Sequence, residues 1–188
     1  MSLDINSIRS DFPFFSKSDL AYFDNSATSQ RPGQVIEAVS EYYYHHNSNP
    51  FRGLYDLSID ATERYEAARA KVAGFINAKS DQEIIFTRNA TESLNLVAFS
   101  LGEMCLEEGD EVITTVVEHH SNMLPWRHAA ERHGAVIKYL ECEEDGSFSL
   151  ERFRSLLTGK TKIVAMTAMS NVFGRIIDIK TFADAAHS

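Results

Sequence analysis

Cysteine is scarce in this chain: 188 residues include two, Cys105 and Cys142. Two cysteines build no disulfide framework and no cysteine-rich metal site, and the count fits a reducing, cytoplasmic setting. Basic residues are short as well, with Lys+Arg 18 against Asp+Glu 27 and a formal net charge of -9. Neutralising nucleic-acid phosphates takes a concentrated basic face, so the balance argues against such a partner. Long apolar runs are missing. Stretches such as Leu96–Phe99 and Ile163–Met166 fall far short of the ~20 residues that span a bilayer, which argues against a membrane. The opening Met1-Ser2-Leu3-Asp4 has neither the basic nor the apolar region of a signal peptide. Four prolines and nine glycines form no linker or low-complexity tract. What remains, 44% hydrophobic and 24% charged, is globular composition, and the length suits one domain or one domain plus an arm.

The elements are read from periodicity. Residues 1–32 are expected to be an arm in which Leu20–Phe23 is a short strand or extended segment. Pro32-Gly33 opens a helix to about residue 46, with Val35, Val39 and Tyr42 at helical spacing. The Tyr42-Tyr43-Tyr44 run reads as helix packing and surface rather than a binding stripe. A loop dense in turn formers covers 47–57. Ser58 is expected to cap a second helix to about Asn77, striped by Tyr65, Ala68, Val72 and Phe75. From residue 83 strands and helices alternate. Strands are expected at 83–87, 111–117, 136–140 and 162–167, and helices at 91–106, 121–133 (stopped by Gly134), from a Ser149 cap, and from 179. This is the α/β class, a mostly parallel sheet flanked by helices. The expected division is 1–58, arm with first helix and loop, and 59–188, an incomplete α/β domain. The closing helical pattern has no stop signal, so the chain reads as part of something longer.

Ligands of open α/β sheets bind outside the carboxyl ends of the strands. That selects three stretches. In Thr87-Arg88-Asn89-Ala90-Thr91-Glu92, the helix-start N–H groups and the Thr91 hydroxyl make an anion site, or Asn89 or Thr91 simply caps the helix. In Glu118-His119-His120-Ser121-Asn122, adjacent histidines point to opposite sides of an extended segment and so do not share a metal. The remaining histidines supply no zinc spacing, and no metal site is expected. One imidazole there either stacks on a planar cofactor or acts as acid/base, or it is a hydrogen-bonded loop histidine. In Thr167 to Gly174, Asn171 either meets a ligand oxygen or bonds its own turn. Cys105 falls on an apolar helix stripe and is expected in the core. Cys142, in an acidic loop, reads as an unremarkable thiol.

Taken in order, these segments resemble the class V aminotransferase family of pyridoxal-phosphate enzymes, especially its cysteine desulfurase and selenocysteine lyase group. The similarity runs through Tyr22-Phe23-Asp24-Asn25-Ser26-Ala27-Thr28-Ser29-Gln30, Arg52-Gly53, and Phe86 to Ala98. It continues through Glu118-His119-His120-Ser121-Asn122 with Pro125-Trp126, and Ser170-Asn171-Val172-Phe173-Gly174. The resemblance implies a pyridoxal 5'-phosphate cofactor, gripped through its phosphate at Ala90 and Thr91. His119 stacks on its ring as the catalytic histidine, and Asn171 lies near its ring hydroxyl. Ala27 and Arg52 lie on the substrate side. It implies sulfur abstraction from L-cysteine, giving alanine and a persulfide, in a homodimer that passes sulfur to an acceptor protein. The alternatives are another class V activity (epimerase, lyase or aminotransferase) and a non-catalytic remnant that binds a phosphate ligand or a partner.

The sequence departs from the family pattern at Phe51 and Ala168, where histidines are usual, and at Ala90, where a hydroxyl residue is usual. The family's pyridinium-pairing aspartate, cofactor-anchoring lysine and persulfide cysteine are expected beyond residue 188. None of Lys17, Lys71, Lys79, Lys138, Lys160, Lys162 or Lys180 stands in the expected motif, so the chain alone is expected to be inactive.

Overall fold

A computed structural model describes residues 3–18 and 20–188 of the chain. It forms two compact units, Met1–Ile85 and Phe86–Ser188. The boundary anticipated at residue 58 lies inside a helix of the first unit.

That unit carries α1 (Ile5–Ser10), α2 (Gly33–Glu41) and α3 (Asp56–Phe75). The helix expected over 33–46 closes on a wider π turn, Tyr42–His46. Its His46 Nδ1 lies 2.6 Å from an Asp60 carboxylate oxygen on α3. Leu20–Phe23 forms no strand; Tyr22 instead donates its hydroxyl to the Thr28 carbonyl at 2.6 Å, closing a turn around Ala27. Ser58 does not cap α3, which starts two residues earlier. It is buried, donates to the Asn49 carbonyl at 2.7 Å and accepts the Gly53 N–H at 3.1 Å. Gly53 is required there, since a Cβ would sit 2.5 Å from the Ser58 side chain. The expected α3 stripe is also displaced: Phe75 is exposed, and the buried face is Ser58, Ala61 and Ala73.

The segment 83–87 is not a strand. A 3-10 turn, Asp81–Glu83, precedes it, the Arg69 guanidinium takes the Ile84 carbonyl, and Ile85 and Phe86 are exposed. With that carbonyl taken by a side chain and no strand among the described residues pairing with the segment, an apolar run is insufficient to make a strand.

The second unit is the sheet. Strands β1 (Glu111–Thr115), β2 (Val136–Leu140) and β3 (Thr161–Ala165) are all parallel in the order β2-β1-β3. Helices α4 (Ala90–Cys105), α5 (His120–His133), α6 (Leu150–Leu156) and α7 (Ile179–Ala186) flank them. Alternation along β1 sends neighbours to opposite faces. Val112 packs with Ala98, Trp126 and Ala129, whereas Ile113 packs with Leu140, Phe153, Phe182 and Ala185. Central β1 is therefore apolar on both sides, which is why it reads as an unbroken β-branched run. Gly134 ends α5 in the left-handed region at φ 69, and the Ser149 hydroxyl caps α6 by accepting the Arg152 N–H. Cys105 is exposed, contrary to its expected place in the core. At that end of α4 the buried positions are Ala98, Gly102 and Leu106, where Gly102 lets α5 approach to within 3.2 Å of a Cβ built on it.

Candidate functional site

Chain reversal selects one end of the sheet. From β1 the chain crosses to β2 on one side, then returns past β1 to β3 on the other. A crevice forms outside the carboxyl ends where connections diverge, here beyond β1 and β3. The segments leaving those ends are 116–119 and 166–174.

Asn89, in fully extended backbone, caps α4 by accepting the Glu92 N–H at 2.9 Å. The Glu92 carboxylate accepts the Arg88 backbone N–H at 2.7 Å and its guanidinium at 3.2 Å. Those Arg88 contacts hold Glu92 below its ordinary pKa. Asn89 and Arg88 thus occupy the groups on one side of the helix start. No acceptor among the described residues pairs with the N–H groups of Ala90 and Thr91. Exposed, aligned and at the positive end of a helix, they are donors without an acceptor.

His119 occupies the cap position of α5. Its Nδ1 accepts the Ser121 backbone N–H at 3.1 Å and lies 2.8 Å from Ser121 Oγ. A ring nitrogen that accepts an N–H carries no proton, so the neutral ring is protonated on Nε2. The imidazole is exposed yet held by two bonds. Thr91 and His119 line one open cavity of about 360 Å³, together with Asn95, Ser121, Leu124 and Pro125. No lysine or cysteine lines it. A second groove, about 320 Å³ between β3 and α7, is walled by Val164, Met166, Ile179 and Phe182, with Thr161, Lys162 and His187 among its polar lining, and none of the expected site residues lines it.

The other expected site residues are dispersed. Asn171 is exposed in the turn after β3, outside the cavity-lining set. Beside it Ser170 is buried and its Oγ accepts the N–H groups of Val172 and Phe173, while Gly174 closes the turn at φ 66. Ala27 and Arg52 belong to the first unit, in the 25–27 turn and the 47–55 loop. Sequence reasoning assigned no role to Glu118, which is buried and accepts three hydrogen bonds beside His119. The signal available was its place between a buried strand and His119.

The sequence pattern of the family described as aminotransferase class-V matches residues 21–188. The chain belongs to that family. A probable cysteine desulfurase of Synechocystis sp. is 48% identical over 184 residues, covering 96% of this chain and 44% of the relative. A cysteine desulfurase of Synechococcus elongatus is 40% identical, covering 100% of this chain and 30% of its own length. Among solved structures, the apo cysteine desulfurase of Thermococcus onnurineus NA1 matches with TM-score 0.90 at 37% identity, covering all of this chain and 46% of that one. The cysteine desulfurase CsdA of Escherichia coli matches with TM-score 0.85 at 34% identity, covering all of this chain and 47% of that one. This chain therefore spans less than half the length of these relatives.

The family is pyridoxal-phosphate dependent. The residues here fit such a group in part: two unclaimed N–H donors and a hydroxyl suit a phosphate ester, and an oriented imidazole on the same cavity suits a flat ring.

Proposed function

We propose that this chain supplies the phosphate-clasping and ring-stacking wall of a pyridoxal-phosphate site of cysteine desulfurase type. The observation that carries the reading is the shared cavity of Thr91 and His119. In it, the Ala90 and Thr91 N–H groups and the Thr91 hydroxyl hold the phosphate, and His119 lies against the ring, its Nδ1 fixed by Ser121. By the family resemblance alone, Asn171 is assigned to the ring oxygen and Ala27 and Arg52 to the substrate side. When bound, the cofactor supplies an electron sink for the bonds of an amino acid. The whole reaction takes sulfur from L-cysteine by breaking its Cβ–S bond, transfers it to a protein thiol as a persulfide and leaves alanine; an acceptor protein then takes the sulfur. A homodimer is part of this reading, since among the described residues β2 and β3 each have one strand partner and present an edge, and a cytoplasmic setting is part of it on the cysteine count.

The reaction also needs an anchoring lysine and a reactive thiol, and the cavity is lined by neither. Pyridoxal phosphate is therefore expected to bind the 188-residue chain reversibly and to leave on dialysis. Pyridoxal without its phosphate should bind at least about tenfold more weakly, since charge-assisted hydrogen bonds are the strong ones. Isothermal titration measures both, and alanine release from L-cysteine should stay at the blank level. Equal affinity for the two compounds, or alanine formed by this chain alone, overturns the reading.

A further inference from the structure

Glu118 has a fixed set of partners. Its Oε1 accepts the Thr115 hydroxyl at 2.8 Å and the Thr167 backbone N–H at 2.7 Å; its Oε2 accepts the Asn122 amide N–H at 2.8 Å. Asn122 in turn accepts the Trp126 indole N–H at 3.1 Å through Oδ1. Thr115 closes β1, Thr167 follows the end of β3, and Asn122 and Trp126 stand on α5. Glu118 is 9% exposed and Trp126 4%. Every partner of the carboxylate is a donor, and the direction of each bond in the chain from Trp126 through Asn122 to Glu118 is fixed, because an indole N–H donates only.

We propose that Glu118 is a positioning residue: one buried carboxylate that pins the exits of β1 and β3 to the first turn of α5, and thereby holds the His119 imidazole over the cavity. The mechanical link is short. His119 follows Glu118 directly, and its carbonyl accepts the Asn122 N–H at 2.8 Å. The residue whose side chain grips Glu118 thus also grips the His119 backbone. The 167–174 segment, which carries Asn171, is drawn to the same carboxylate through Thr167. This deepens the proposed cofactor wall and rests on it only for the role of the ring.

The bond directions supply the test. In Glu118→Gln the new amide N–H₂ faces the Asn122 N–H₂ or, with the amide turned, the Thr167 N–H, and turning Asn122 round instead only moves the first mismatch to Trp126. In Asn122→Asp two carboxylates face each other. In the double variant, the amide introduced at position 118 donates to the carboxylate introduced at position 122, whose second oxygen accepts from Trp126, and every group is paired again. Each single variant is expected to lower the unfolding midpoint by roughly 3–6 °C, as a mispaired buried polar group does at this chain length. The double variant recovers most of that loss.

Positioning is read separately, by nitrogen NMR of the histidine-labelled chain. The wild type shows His119 with a bare Nδ1 and a protonated Nε2. Glu118→Gln gives a ring averaged between tautomers and binds pyridoxal phosphate about tenfold more weakly, and the double variant restores both. A His119 signature unchanged in Glu118→Gln despite a lowered midpoint makes Glu118 merely structural and overturns the proposal, as does a double variant no better than the singles. A wild type that binds no pyridoxal phosphate, yet whose His119 signature follows the network, leaves the positioning role standing and removes the cofactor reading.

Discussion

His119 is asked to do two things at once, and substitution can separate them. Its Nδ1 caps α5 by accepting the Ser121 N–H, while its ring forms a flat wall of the cavity. Losing a side-chain cap costs about 1 kcal/mol, within a range of about 0.5–2. At this chain length that lowers the unfolding midpoint by about 2–4 °C. An aromatic stacking contact contributes about 0.5–1.5 kcal/mol beyond its area, which is about two- to twelvefold in affinity. His119→Asn keeps an oxygen in reach of the Ser121 N–H but no ring; it should retain the stability and lose the affinity. His119→Phe keeps a ring but no acceptor; it should show the lowered midpoint and retain most of the binding. His119→Ala should lose both. Urea unfolding followed through Trp126, the only tryptophan, reads the cap, and titration with pyridoxal phosphate reads the ring. An asparagine variant as unstable as alanine refutes the capping role, and a phenylalanine variant that binds as poorly as alanine refutes the stacking role.

Two further outcomes follow from individual groups. Ala90→Pro removes one of the unclaimed N–H donors at the first position of α4, where proline fits and the preceding Asn89 is already extended; stability should hold while pyridoxal-phosphate affinity falls about three- to tenfold, the loss of one charge-assisted bond, and unchanged affinity would remove that N–H from the phosphate site. Glu111 at the opposite end of the sheet accepts Lys138 Nζ at 2.7 Å, Thr158 Oγ1 at 2.6 Å and Thr161 Oγ1 at 3.1 Å. Lys138 first, then Thr158, holds its carboxyl below the ordinary glutamate value of 4.5. Since the folded value is the lower one, the stabilisation is present above that ordinary value and drains away as pH falls through the folded one. Glu111→Gln should narrow the drop in urea midpoint between about pH 6 and about pH 3, and an equally steep drop in the variant would show that Glu111 does not carry it.

What could be read from the sequence follows from how local each cause is. The β-branched run of β1 is visible because both faces of that strand are covered: Val112 and Ile113 fill the two apolar faces, and Thr114 and Thr115 after them are β-branched and buried as well. The end of α5 is visible because a left-handed residue favours glycine, and Gly134 is one. The start of α4 is visible because Asn89 caps through its own side chain. By contrast, 83–87 has the composition of a strand, but a strand is made by its neighbour, and here Arg69, a helix away, takes the Ile84 carbonyl instead. Ser58 looks like a cap and is instead a buried clamp on Asn49 and Gly53, a role set by loop backbone several residues upstream.

The same distinction runs through the site. Thr91 and His119 were legible because a helix mouth and a strand exit are local features whose chemistry can be stated from their own residues. That they meet is a property of the fold: α4 and α5 pack together at Gly102 and Ala129, and this pairing sets their starts on one cavity. Glu118 was illegible for a sharper reason. A glutamate in a sequence reads as a solvated charge, and only folding delivers the Thr167 N–H, forty-nine residues away, that makes its burial tolerable. Burying a carboxylate is costly unless donors meet it, so Glu118 ties the exits of β1 and β3 and the start of α5 energetically to one another. The residue hardest to assign from the sequence is therefore the one that couples the two strand exits, and a defect in any of its donors should disturb His119 without touching it.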